Sequence, residues 1–327
     1  MAAQVRIPGS DLDVHPLCLG GNVFGWTADA ATSGAVLDAY LAAEGNFVDT
    51  ADSYMWRVEG NTGGDSERVL GDWLADRGVR DRMVIATKVG SWPERPGLSA
   101  ANIRAACDDS LRRLRTDHID LYYAHRDDPD TPIEETLTAF DELVRAGKVR
   151  HLGLSNYSAD RLRTALTIAD GHGLTRPVAL QPHYNLVERA GYEDELAEIA
   201  SAADLGVMPY FSLAKGFLTG KYRPGDAPPP VGDDPMASAR AGGAITYLDD
   251  RGERVLAALD EIAAGHGAPV ASVALAWLAA QPTVTAPIAS ARTVDQLGQI
   301  LPMAELTLTE DELAALTSAS EDTRLDA

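Results

Sequence analysis

The run Ile119-Asp120-Leu121-Tyr122-Tyr123-Ala124-His125, with the segment from Thr131 to Leu154 behind it, decides the fold. Its apolar and aromatic character predicts a buried strand over 119–124. Thr131-Pro132-Ile133-Glu134 has the form of a capping box with Pro at the first helical position. Ile133, Leu137, Phe140 and Val144 then recur at helical spacing, and Gly147 ends the helix. A second apolar run over 149–154 follows at once. Strand, helix and strand with such short connections make one parallel unit.

The unit recurs in both directions. Strand-like runs fall near 17–19, 46–49, 83–87, 119–124, 149–154, 178–182, 206–210 and 284–288. Helical patterns lie between them, as in Ile103, Cys107, Leu111 and Leu114. A hairpin is expected ahead of them, from Gln4–Ile7 and Asp13–His15 around Pro8-Gly9-Ser10, and Thr309-Glu310-Asp311-Glu312 opens a last helix. Eight such units without a Gly/Ser linker predict a single (β/α)8 TIM-barrel domain over 1–327, with extra C-terminal helices. A doubly wound open sheet is the competing architecture. Against it, the first strand and turn, Leu17-Cys18-Leu19-Gly20-Gly21-Asn22, lacks the GxGxxG dinucleotide fingerprint. The breaker-rich stretch Tyr222–Gly243 reads as a loop over the strand ends or as a surface insertion.

Composition narrows the partners. With 28 Lys+Arg against 49 Asp+Glu, the net charge is −21, which repels nucleic acid and anionic membrane. A polyanionic ligand would therefore need cations gathered locally. No apolar run approaches the roughly 18–20 residues that span a bilayer. The opening Met1–Pro8 has no apolar segment of a signal peptide. Cys18 and Cys107 are too few for a disulfide framework. A cytoplasmic protein is expected, with no metal motif and no signature of a particular oligomeric state.

Chemistry gathers at four positions. Asp49, Lys88 and His125 each lie just past a predicted strand, and Tyr54 sits on the loop after the second. In a barrel the C-terminal strand ends share one face, where active sites are built. A tyrosine is a poor acid, with a reference pKa of about 10. An adjacent ammonium stabilises its phenolate, and an adjacent carboxylate keeps that ammonium charged. An imidazole donates to a carbonyl oxygen. Each residue alone has an ordinary reading, as a cap, a packed aromatic, a surface charge or a core histidine. Their joint placement favours a site that polarises a carbonyl and protonates it.

Three segments carry a resemblance. Asp49-Thr50-Ala51-Asp52-Ser53-Tyr54, Ala86-Thr87-Lys88-Val89-Gly90 and Leu121 through Thr136 resemble the signature segments of the aldo-keto reductases, in the right order. The resemblance runs from about Leu17 to the last helix and implies a TIM barrel with reversible hydride transfer between NADP(H) and a small-molecule carbonyl. It implies a catalytic tetrad of Asp49, Tyr54, Lys88 and His125, with Tyr54 as acid/base. It places the nicotinamide carboxamide against Ser155, Asn156 and Gln181, with Tyr210 stacked on the ring. Phe211, Ser212, Leu213, Ala214, Gly216 and Lys221 fall on the loop that wraps the pyrophosphate, where Lys215 adds charge. Ser290, Arg292 and Gln296 lead into a helix suited to the adenosine 2′-phosphate, with Arg240 as a second clamp. Gly21, Asn22 and Asp49 complete the cofactor set. Ala289-Ser290 stands where the family usually has Pro-Gly, and Gln299-Ile300 where it has Glu-Asn, so the hold on adenine is expected to differ.

The loop from Met55 to Asp65 is long and glycine-rich. Trp56, Phe24, Trp26 and Trp92 lie beyond strand ends as candidate pocket walls, with Trp56 foremost. Arg126, Asp127 and Asn22 are candidate polar contacts. This lining suits an aldehyde, ketone or sugar-type carbonyl. Two other classes stay open: a nicotinamide-binding regulatory subunit with little turnover, and a lyase or isomerase that uses Lys88 as a Schiff-base amine.

Overall fold

The structure, a computed structural model, describes residues 3–223, 225 and 241–321. A hairpin of β1 (Val5–Arg6) and β2 (Asp13–Val14) precedes β3 (Cys18–Gly20), α1 (Ala30–Ala42), β4 (Phe47–Asp49) and α2 (Asp65–Arg77). There follow β5 (Val84–Val89), α3 (Ala100–Leu114), β6 (Ile119–Ala124), α4 (Ile133–Arg145), β7 (Val149–Ser155) and α5 (Ala159–His172). The sheet is completed by β8 (Ala179–Gln181), β9 (Gly206–Val207) and β10 (Ile288–Ala289). Helices Asp250–His266 and Val270–Ala279 lie between the last two strands, and Glu310–Ala319 follows them.

Strands β3 to β9 pair in parallel in chain order, and β10 pairs with β3. The ring closes at Val207. Its N–H donates to Thr283 O at 3.0 Å, and its carbonyl accepts from Thr285 N at 2.8 Å. Ile288 N donates to Pro209 O at 2.9 Å on the same seam. The result is a (β/α)8 barrel. Among the described residues, no single helix is long and apolar enough to cross a membrane.

Alternation along the strands separates two cores. Cys18, Phe47, Val84, Ala86, Leu121, Tyr123, Ala179, Met208, Ala286 and Ile288 fill the barrel interior. Leu19, Val48, Ile85, Tyr122, Leu154 and Leu180 point outward into the helix layer. The hairpin closes the bottom, because Ile7, Leu12 and Val14 join the interior cluster. Gly153 is required inside, since a Cβ there would lie 2.2 Å from the Tyr123 ring.

Among the described residues the expected elements are present with three local differences. The first is at 284–288, where the expected strand is reduced to a bridge at Val284 and the pair Ile288–Ala289. Most of the stretch 222–243 lies outside the described residues. The strand expected over 206–210 ends at Val207, and beyond it the backbone keeps only scattered bonds, with Met208 N on Leu180 O at 2.9 Å and a bridge between Tyr210 and His183. Pro209 has no N–H to extend the ladder. The capping box expected at Thr131 does not form. Pro132 occupies the N-cap, and the Thr131 hydroxyl donates instead to Asp128 Oδ2 at 2.7 Å. The box expected at Thr309 does form, with Glu312.

Candidate active site

The interior parity of each strand, continued past its end, places the candidate residues together. Asp49 is two residues beyond inward Phe47, Lys88 is two beyond Ala86, and Gln181 is two beyond Ala179. Just past their strands, His125, Tyr210 and Ser290 are two beyond Tyr123, Met208 and Ile288. Register confirms the layer, since Gly20 aligns with Asp49 and Ser155 with Gln181. Tyr54 arrives by a different route. The chain after β4 keeps bonding along β5, with Thr50 N on Ala86 O at 2.8 Å and Asp52 N on Lys88 O at 3.2 Å. It then turns at Ala51, whose carbonyl accepts from Tyr54 N at 3.4 Å.

Lys88 is 0% exposed, and its ammonium has three donors. They go to Asp49 Oδ2 at 2.5 Å, Thr50 O at 2.7 Å and Tyr54 Oη at 2.8 Å. Burial pushes the Lys88 pKa down, while the Asp49 carboxylate opposes the shift. Asp49 also accepts from Gln181 Nε2 at 3.0 Å, and Tyr54 Oη lies 3.3 Å from Asp49 Oδ2. His125 is anchored by its N–H on Val89 O at 2.9 Å. Its ring stands edge-on to Tyr54, centroids 5.9 Å apart, with Ser53 Oγ 3.5 Å from Nδ1. Desolvation first, then the Lys88 and Arg126 charges, hold the His125 pKa well below the ordinary imidazole value. A neutral imidazole therefore faces a phenol whose oxygen accepts from a buried ammonium.

These groups open onto a cavity of about 1040 Å³. Asn22, Asp49, Tyr54, His125, Ser155, Asn156, Gln181 and Tyr210 line its inner end. A chain of hydrogen bonds fixes them. Tyr210 Oη donates to Asn156 Oδ1 at 2.7 Å, Asn156 Nδ2 donates to His125 O at 2.8 Å, and Ser155 Oγ donates to Gln181 O at 2.8 Å. Phe211, Ser212, Leu213, Gly216 and Lys221 line one flank, and Ser290, Arg292 and Gln296 the other. Phe211, Ala214 and Lys215 adopt left-handed φ of 52°, 47° and 59°, with Gly216 at 100°. Such strain in non-glycine residues collects at ligand sites. Ser290 Oγ donates to Asn22 Oδ1 at 2.5 Å, and Gln296 Oε1 accepts from Arg292 N at 2.9 Å. Gln299 and Ile300 reach the same cavity, Ile300 only 3% exposed. Gly21 and Ala214 lie behind the lining, and Arg240 lies outside the described residues.

The expected substrate walls are redistributed. Phe24 is 0% exposed in the helix-side core, so it forms no wall. Trp56 and Trp92 do not line the cavity. Each is covered by an arginine of its own loop, Arg57 at 4.8 Å and Arg95 at 5.4 Å. Of the expected aromatic walls Trp26 alone lines it, joined by Thr27 on the turn after β3. Arg126 lines it as expected, but Asp127 is taken by Arg161 at 2.7 and 2.8 Å. Sequence reasoning did not single out Val270 and Ala271, which reach the cavity from the start of a late helix. Nothing in their apolar character marks them, because the helix packing alone brings them there.

The aldo/keto reductase family model matches residues 16–321. Protein tas of Escherichia coli is 36% identical over 338 residues, covering 95% of each chain. Norsolorinic acid reductase B of Aspergillus parasiticus is 32% identical over 332 residues, covering 96% of this chain and 83% of its own. A probable voltage-gated potassium channel subunit beta of Oryza sativa is 34% identical over 294 residues, covering 88% and 87%.

Proposed function

The chain belongs to the aldo/keto reductase family, and on that premise we propose that it is an NADP(H)-dependent oxidoreductase acting on an aldehyde, ketone or sugar-type carbonyl. The observation that carries the reading is the Lys88 ammonium, buried on Asp49 and donating to Tyr54 Oη at 2.8 Å. When bound, NADPH supplies the hydride. The carbonyl oxygen lies between Tyr54 and His125. In the tautomer with its proton on Nε2, neutral His125 donates to that oxygen and orients it. As negative charge develops there, Tyr54 gives up its proton, and Lys88 stabilises the phenolate left behind. Asp49 and Gln181 hold the ammonium and its counter-charge in place.

The residues suit the nucleotide. Ser155, Asn156 and Gln181 offer hydroxyl and amide partners to a carboxamide, and Tyr210 offers a ring to stack on. The left-handed turn at Phe211–Gly216, with Lys215 and Lys221, suits the pyrophosphate. Arg292 and Gln296 suit the 2′-phosphate. Ile300 replaces a hydrogen bond at the adenine with apolar contact.

Loss of NADPH absorbance over a panel of aldehydes and ketones tests the reading. Tyr54→Phe should lower the rate by about 10²–10⁴; equal turnover by both forms would refute the mechanism. The channel-subunit relative supports one other reading, a nucleotide-binding regulator. Wild-type turnover no faster than buffer, with nucleotide still bound, would favour it.

A further inference from the structure

We propose that Arg126 receives a carboxylate of the carbonyl substrate, which makes keto acids and aldehyde acids the preferred class; the inference rests on the reductase reading above. Acids outnumber bases by 49 to 28, and many described arginines end on a carboxylate. Arg113 reaches Glu67, Arg161 reaches Asp127, and Arg150 reaches both Asp11 and Asp120. Arg126 is exposed at the cavity, and among the described residues no carboxylate pairs with it. The acids beside it in sequence are committed. Asp127 holds Arg161, and Asp128 accepts from Leu98 N at 2.7 Å and Thr131 Oγ1 at 2.7 Å.

Arg126 is nevertheless positioned. Its Nε donates to Ser91 Oγ at 2.9 Å, which steadies the guanidinium. Its two terminal nitrogens have no acceptor among the described residues. A steadied guanidinium fork with vacant donors matches a carboxylate, pairing with both oxygens. Lys215 and Arg292 line the flanks assigned to the nucleotide phosphates. Arg126 follows His125 directly, and its charge is felt at both His125 and Tyr210. It therefore stands at the carbonyl end. A net charge of −21 repels anions elsewhere, so this cation also steers an acidic substrate to the mouth.

The test compares 4-carboxybenzaldehyde with its methyl ester, which differ by one charge remote from the carbonyl. Wild type should show a higher kcat/KM for the acid. Arg126→Gln should collapse the acid-to-ester ratio by about tenfold or more, mainly through KM of the acid. Arg126→Lys should fall between them, and added salt should lower the wild-type ratio. Terephthalate quenching of intrinsic tryptophan fluorescence in the NADP⁺-loaded protein should weaken in the same order, without any turnover. A wild-type ratio near one, or a ratio unmoved in Arg126→Gln, overturns the inference while leaving the reductase reading intact. If neither aldehyde is reduced, the wider carbonyl panel decides the reductase reading, and terephthalate binding alone decides whether Arg126 holds a carboxylate.

Discussion

Lys88→Met separates the charge arrangement from the chemistry. The ammonium is 0% exposed and Asp49 is 2% exposed, 2.5 Å apart. Methionine fills a similar volume but withdraws three hydrogen bonds at once. Asp49 then keeps only the Gln181 amide at 3.0 Å and the more distant Tyr54 hydroxyl. Removing one partner of a buried pair costs about 3–5 kcal/mol, because the remaining charge stays desolvated. Unfolding entropy of about 2.1 cal/mol/K per residue gives about 0.7 kcal/mol/K for 327 residues. The melting temperature should therefore fall by about 4–7 °C in scanning calorimetry at neutral pH. The double variant Lys88→Met/Asp49→Leu should recover most of the loss, since both buried charges are then absent. Neither variant should reduce carbonyls at a measurable fraction of the wild-type rate. A single variant as stable as wild type, or a double variant no better than the single, would refute the account of Lys88 as a buried, Asp49-compensated charge.

Two further outcomes follow from neighbouring residues. Arg292→Ala should raise KM for NADPH by about 10–100-fold, the worth of a charge-assisted hydrogen bond, with a much smaller change for NADH; an equal loss for both nucleotides would remove Arg292 from the 2′-phosphate. Asp52 is 1% exposed with neither carboxylate oxygen hydrogen-bonded, and burial, then Glu67, push its pKa up to about 7. The folded state thus keeps a proton that the unfolded chain releases from about pH 4 upward, so Asp52 costs stability increasingly as pH rises towards 7. Asp52→Asn should accordingly gain in melting temperature relative to wild type between pH 5 and pH 8; a difference that does not change with pH would contradict that placement.

Much of this protein is legible in its residues. Apolar runs of strand length, alternating with helical spacing such as Ile133, Leu137, Phe140 and Val144, dictate eight βα units, because each face must be buried against another layer. Apolar runs that end at Val48, Ala86 and Ala124 place Asp49, Lys88 and His125 at one rim of any barrel built from those units. That is why three of the four candidate residues could be named from strand ends, with Tyr54 added from the loop after the second strand. Local signals were less reliable where tertiary partners compete. Thr131 carries the pattern of a cap, but Asp128 takes its hydroxyl. Phe24 and Trp92 lie beyond strand ends, yet packing turns both away from the cavity.

The tertiary structure alone decided the rest. Inward parity puts Gln181 on Asp49, though 132 positions separate them. Bonding of Thr50 and Asp52 along β5 carries Tyr54 to Lys88, and the packing of a late helix brings Val270 and Ala271 to the cavity. Whether Arg126 is neutralised or left available depends on Arg161 claiming Asp127 from α5, one βα unit further along the chain. Sequence determines which groups stand at the rim, because periodicity and strand ends are local. Which of them meet, and which charges remain unpaired, depends on contacts between segments far apart along the chain.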